Sequence, residues 1–105
     1  MEKRMIGSYL SQRIPEYERR FDVQDLRVTP CKNGRKRFTA TFLMNGKRVV
    51  RHFGQIGAIT YGDDHSLKQK RAAFRARHSK IVDAQGFYAY RVSGTPSSLS
   101  YWLLW

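Results

Sequence analysis

The sequence predicts an α+β fold: a small antiparallel sheet of three or four strands, one long helix packed on one face of it, and short helices near the ends. Three observations carry that expectation. Two Asn-Gly pairs, Asn33-Gly34 and Asn45-Gly46, lie between runs rich in β-branched and aromatic residues, and both residues of such a pair tolerate the positive φ that tight hairpin turns need. Downstream, Leu67, Phe74 and Ile81 recur every seven residues with Ala73 and Ala76 beside them, the narrow stripe of a helix that buries one seam. A chain of 105 residues, 41% apolar and 13% aromatic, has material for one modest core and too little for two. Residues 1–105 are therefore expected to form a single domain.

The elements follow in order. Ile14-Pro15-Glu16-Tyr17-Glu18-Arg19-Arg20-Phe21 predicts a short helix. Asp25-Leu26-Arg27-Val28-Thr29-Pro30-Cys31 predicts a first strand, joined to the second by a three-residue loop, Lys32-Asn33-Gly34. That loop length sets Val28 opposite Phe38 and Leu26 opposite Ala40, which keeps apolar residues on one side. The second hairpin is clearer. A two-residue loop at Asn45-Gly46 pairs Met44 with Lys47, Phe42 with Val49, Ala40 with Arg51 and Phe38 with Phe53. Ser66-Leu67-Lys68-Gln69 has the spacing of a capping box, with Asp63 and Asp64 placed to favour the helix dipole, and predicts a helix over 67–81. Asp83-Ala84-Gln85-Gly86 ends it. Phe87-Tyr88-Ala89-Tyr90-Arg91-Val92 alternates as a short fourth strand, and Thr95-Pro96 opens a last helix with Thr95 as cap.

Charge sets the functional class. Twenty Lys and Arg against eight Asp and Glu leave +12, which strains a compact state by self-repulsion unless a partner neutralises it. Residues 1–25 hold five basic and five acidic side chains and are neutral. The excess lies beyond them: eight basic residues and no acid over 26–62, then six more and no acid over 65–82. A surface made only for solubility mixes both signs. Two uninterrupted basic blocks point to a polyanion, nucleic acid first and DNA before RNA.

Other classes have little support. Cys31 is the one cysteine, so an intramolecular disulfide is excluded and a thiolate zinc site of the usual kind is not expected. No apolar run approaches the roughly 18 residues of a membrane span, and Met1-Glu2-Lys3-Arg4 is not followed by a signal-peptide core; no membrane partner is expected. Asp63-Asp64-His65 is the one cluster with metal-ligand chemistry, but carboxylates directly before a helix are accounted for by its dipole. Neither catalytic residues, nor a metal, nor a cofactor is expected.

The string His52-Phe53-Gly54, Tyr61, Lys70-Arg71-Ala72-Ala73-Phe74-Arg75-Ala76-Arg77-His78-Ser79-Lys80-Ile81, Pro96-Ser97 and Leu99-Ser100-Tyr101-Trp102-Leu103-Leu104-Trp105 resembles a family of small uncharacterised basic proteins of large DNA viruses and some phages. The resemblance covers roughly residues 48–105. It implies a viral setting, in the virion or inside the host cell, in the nucleus or a cytoplasmic virus factory, and it implies no particular activity. A second likeness is to WGR domains, small sheet-and-helix modules of which some bind DNA. It is carried by Val49, Phe53-Gly54-Gln55-Ile56-Gly57 and a helix bearing Ala73-Phe74 and Lys80. Here Gln55 stands where that family has its central Arg.

The expected nucleic-acid contacts are Arg35, Lys36, Arg37, Lys47, Arg48 and Arg51 from the hairpin region and Lys68, Arg71, Arg75, Arg77 and Lys80 from the helix, since guanidinium forks and ammonium groups match phosphate oxygens and release counterions. Tyr61, Tyr88, Tyr90 and His52 are candidates for stacking on unpaired bases, each competing with a place in the core. The apolar tail over 99–105 has two readings. Either it folds back to complete the core, or it docks into another subunit or a capsid protein.

Overall fold

A computed structural model describes residues 5–32 and 34–105; Met1–Arg4 and Asn33, on which the leader and first-turn expectations partly rest, lie outside the described residues. Helix α1 (Met5–Phe21) is followed by strands β1 (Gln24–Pro30), β2 (Phe38–Met44) and β3 (Lys47–Phe53), helix α2 (Lys68–His78), a 3-10 turn at Ala89–Arg91, helix α3 (Pro96–Leu99) and a π-helical turn at Ser100–Leu104. The sheet is antiparallel in the order β1-β2-β3. The α+β class holds.

The β2–β3 hairpin forms in the expected register, with Met44 opposite Lys47, Phe42 opposite Val49, Ala40 opposite Arg51 and Phe38 opposite Phe53. Asn45 and Gly46 both take positive φ, 55° and 76°, as a type I′ turn requires. The β1–β2 register differs: Val28 faces Ala40 and Pro30 faces Phe38, a slip of two residues that keeps the face and lengthens the connection to residues 31–37. Side-chain alternation constrains only the parity of a register, so Leu26 and Val28 still point inward. A bulge between Gln24 and Arg27 completes the difference, with Asp25 in the left-handed region at φ 53°.

Helix α1 begins well before the short segment expected from Ile14. Pro15 sits inside it and removes one helical N–H, a local cost. The stripe Ile6, Leu10, Ile14, Tyr17 and Phe21 outweighs that cost, since all five lie in or against the hydrophobic core. Asp22 ends the helix at φ 55°, and the Val23 N–H reaches back to the Glu18 carbonyl at 3.2 Å, a Schellman closure made with Asp in place of Gly.

The inner face of the sheet and α1 enclose the C-terminal run. Phe38, Ala40, Phe42 and Phe53 from the sheet, Leu10 and Tyr17 from α1, and Leu99, Leu103 and Leu104 from the C-terminal run form one core cluster. Of the two readings of the tail, the structure shows the first. Thr95 caps α3 as expected, its side-chain oxygen accepting the Ser98 N–H, with Pro96 in the first turn. The Tyr17 hydroxyl is pinned between Ser98 Oγ (2.6 Å) and the Gly94 N–H (3.1 Å); burial raises its pKa against the pull of those two hydrogen bonds. Gly62 lets the chain pass α1, because a Cβ there would stand 2.7 Å from Ile6 and Tyr9, and its N–H bonds the Leu104 carbonyl at 2.9 Å.

Three expectations are corrected. The helix over 67–81 is shorter, and it is not packed on the sheet: α2 buries only Phe74, Ile81 is 44% exposed, and the contact runs through Phe74 stacked on Trp105 at 4.6 Å. The capping box does not form, because Ser66 gives its N–H and hydroxyl to Asp64 (2.9 and 2.7 Å), leaving α2 without a side-chain cap. The fourth strand is replaced by the 3-10 turn, with Val82 and Tyr88 as a lone bridge. Asp83 curls that segment by accepting the N–H groups of Gln85 and Phe87, and this local turn chemistry outcompetes a ladder.

Candidate nucleic-acid interface

The eleven basic residues expected to meet phosphate divide into three groups once their partners are known. Arg37 leaves the set. Its guanidinium forms a two-armed pair with Asp63, one arm at 2.8 Å, and also donates to the Ala58 carbonyl. The Asp63 carboxylate in turn accepts the N–H and hydroxyl of Thr60 at 2.8 Å each. Burial pushes the Asp63 carboxyl up, but Arg37 and Thr60 together hold it below the usual carboxylate range. Asp63 therefore serves as the counterion of a strut between the sheet and the following loop, a correction to its expected role at the helix dipole.

Arg71 and Arg75 are half committed. Arg71 donates from Nε to the Trp105 main-chain oxygen at 2.7 Å and lies over the Tyr61 ring at 4.4 Å. Arg75 lies over Tyr101 at 4.8 Å, with Nε and one terminal nitrogen buried and without hydrogen-bond partners; burial first, and then the Arg71 cation, lower its pKa. Their positive charge remains at the surface, but their forks are packing groups.

The third group is exposed. Lys68, Arg77 and Lys80 are exposed, as is Lys70 between them, and among the described residues no Asp or Glu side chain pairs with any of the four. On the sheet, Lys47, Arg48 and Arg51 are exposed along β3. Arg48 also reaches Asp25 at 3.0 Å, a pair exposed on both sides and worth little; Arg48 first and Arg27 next hold the Asp25 carboxyl below its usual range. Arg35 and Lys36 stand at the rim of a cleft of about 540 Å³ whose floor includes Phe53, Phe74, His78 and Ser97. His78 lies flat on Phe74 at 3.8 Å, and burial, with help from Arg77, lowers its pKa.

A second cleft, about 440 Å³, was not expected from the sequence. Arg20, Phe21, Tyr90, Arg91, Tyr101 and Trp102 line it. The Arg20 guanidinium lies 4.1 Å from the Trp102 ring centroid, and Arg91 sits over both Tyr88 (5.7 Å) and Tyr90 (5.3 Å). Of the rings named for stacking, Tyr61 is sandwiched between His65 and Arg71, and His52 bonds Thr39 and meets Cys31 on the open face of the sheet. Tyr88 and Tyr90 stay accessible. Arg20 falls in the neutral first quarter of the chain, so composition hid it, and nothing local in the sequence places it beside Trp102.

These features define a small basic α+β protein with exposed cations on α2, in the turn after it and along β3, and with a cleft lined by arginine and aromatic side chains. The chain is 37% identical over 101 residues to the uncharacterized protein L851 of Acanthamoeba polyphaga mimivirus, a match spanning 95% of this chain and all of that relative. It belongs to the same family as that giant-virus protein, and the viral resemblance is to that extent shown. No family model and no solved structure matches, so the WGR likeness rests only on the residues quoted for it. No described helix is long and apolar enough to cross a membrane.

Proposed function

We propose that this viral protein binds nucleic acid, DNA before RNA, through sequence-independent contacts to phosphates, in the service of packaging or organising a genome, and that it does so without catalysis. One observation carries the proposal. Lys68, Lys70, Arg77 and Lys80 project from α2 and the turn after it with no acidic partner among the described residues, while α2 contributes only Phe74 to the buried interior. Such a helix is far more cationic than its packing requires, and phosphates are the partner that turns the surplus into affinity through counterion release. Base-reading amides are scarce there, Gln69 being the single example, so affinity without base preference follows.

The alternative, a structural or minor capsid component that docks through residues 99–105, has only the partly exposed Trp102 and Trp105 to rest on, since Leu99, Leu103 and Leu104 are inside.

Binding isotherms against random duplex DNA at several salt concentrations test the reading. Four open cations predict a log–log slope of about −3 or steeper. A slope near zero, or strong preference for one duplex sequence, overturns it.

A further inference from the structure

Accessible aromatic rings are costly on the surface of a small domain, and the region around residues 87–102 concentrates them. Phe87 and Tyr88 are 61% and 48% exposed. Tyr90 and Trp102 are half-buried, and one wall of each opens into the cleft they share with Arg20 and Arg91. The rings follow one another: Tyr88 to Tyr90 at 6.5 Å, Tyr90 to Tyr101 at 4.6 Å, Tyr101 to Trp102 at 5.0 Å. The guanidiniums of Arg20, Arg75 and Arg91 lie over these rings, and among the described residues no carboxylate pairs with any of the three. The Arg91 Nε donates to the Tyr90 hydroxyl at 2.9 Å, and the Trp102 indole N–H donates to the Tyr90 carbonyl at 3.0 Å, so edge hydrogen bonds and the guanidiniums on the ring faces together hold the platform in place.

We infer that this ladder is a binding site for unpaired bases, so that the nucleic acid the protein prefers is single-stranded. Ring faces next to uncompensated cations recognise a flat base and its phosphate at once, and base-on-aromatic stacking tolerates every base. A duplex keeps its base faces covered and reaches only the cations, so phosphate binding alone leaves the rings without a use. The inference rests on the nucleic-acid reading above and adds the strand state and a second contact surface.

The test measures affinity of the full chain for oligo(dT) and for a duplex of equal length at one salt concentration, alongside four single variants. Tyr88→Ala is expected to weaken oligo(dT) binding about tenfold and leave duplex binding unchanged, while Tyr88→Phe, which keeps the ring, stays within about twofold of the parent. Arg91→Ala is expected to weaken oligo(dT) binding more than Arg19→Ala, which removes the same charge from an exposed site outside the cleft. Tyr88 is exposed enough that its truncation spares the fold, which a thermal melt verifies. If the parent binds both DNAs and Tyr88→Ala binds oligo(dT) as well as the parent does, the ladder fails and the phosphate reading stands. If the parent binds duplex but not oligo(dT), the ladder fails again. If it binds neither, both readings fall together.

Discussion

Helix α2 and the C-terminal run over 96–105 are both short helical segments, and they divide the work of the molecule. The C-terminal run supplies the interior with Leu99, Leu103 and Leu104, each at or below 1% exposure. Its neighbour α2 buries Phe74 alone and exposes Lys68, Lys70 and Arg77. The two meet along a seam where Phe74 stacks on Trp105, Arg71 bonds the Trp105 main-chain oxygen and Arg75 lies over Tyr101. Stability and the proposed phosphate contacts of α2 therefore sit on different elements, and substitutions that ruin one are expected to spare the other.

The largest effect should come from the C-terminal run. Leu103→Ala leaves a cavity in the middle of the core cluster and is expected to cost about 2–5 kcal/mol, a large part of the roughly 5–15 kcal/mol that holds a domain together. Thermal or urea melts read this directly. A melting temperature equal to the parent's would place the core elsewhere and undo the contrast.

A sharper version compares two arginines that look alike in the sequence. Arg37→Met strands Asp63, itself 9% exposed, and is expected to cost about 3 kcal/mol, the low end for a broken buried pair. Arg77→Met should change stability by less than about 0.5 kcal/mol while lowering the salt slope of DNA binding by about 1. Urea titrations and salt-dependent isotherms on both variants give a two-by-two comparison. Equal stability losses would mean that the Arg37–Asp63 strut carries no weight.

The smallest effect is a pH dependence at the seam. Burial, aided by Arg77, holds His78 below its ordinary value of 6.5, so the fold favours neutral imidazole and the unfolded chain takes up the proton first. Stability is then full above that value and declines as pH falls toward the folded pKa. Asp63, depressed below 3.8, contributes above that value and is lost only as pH falls through its lower folded pKa. Melting temperature should therefore start to fall below about pH 6.5, and in His78→Gln hold level until the carboxylates titrate. A parent profile flat across that window counts against the neutral His78.

What was legible in the sequence is what local chemistry decides. Asn45-Gly46 dictates a turn with no help from the rest of the chain, and the β2–β3 register followed; Thr95-Pro96 likewise marked the start of α3. The β1–β2 register was legible only in parity, because alternation cannot tell a pairing from one displaced by two. Helix α1 shows how tertiary burial overrides a local stop signal: Pro15 reads as a start, yet Ile6 and Leu10 extend the stripe, and what the helix packs against lies far along the chain, at Gly62 and at Ser100–Leu104. The candidate site was legible in amount and misread in part. Charge counting gives the size of the surplus but not which arginine finds Asp63, and Arg20 and Arg91 join the aromatic cleft through contacts between distant segments that no spacing reveals.

Strand β3 is an edge of the sheet, so every second residue turns its main-chain groups outward, where the Val50 carbonyl accepts the Arg51 guanidinium at 2.9 Å. Such an edge invites a second copy to add a strand, and natural sheets deter this with charge. Lys47, Arg48 and Arg51 are exposed there, so two approaching copies would bring like charges together along the line where their backbones would pair. If the proposed polyanion lay across β3, it would cancel that repulsion and remove the strand's guard against self-pairing in the same step.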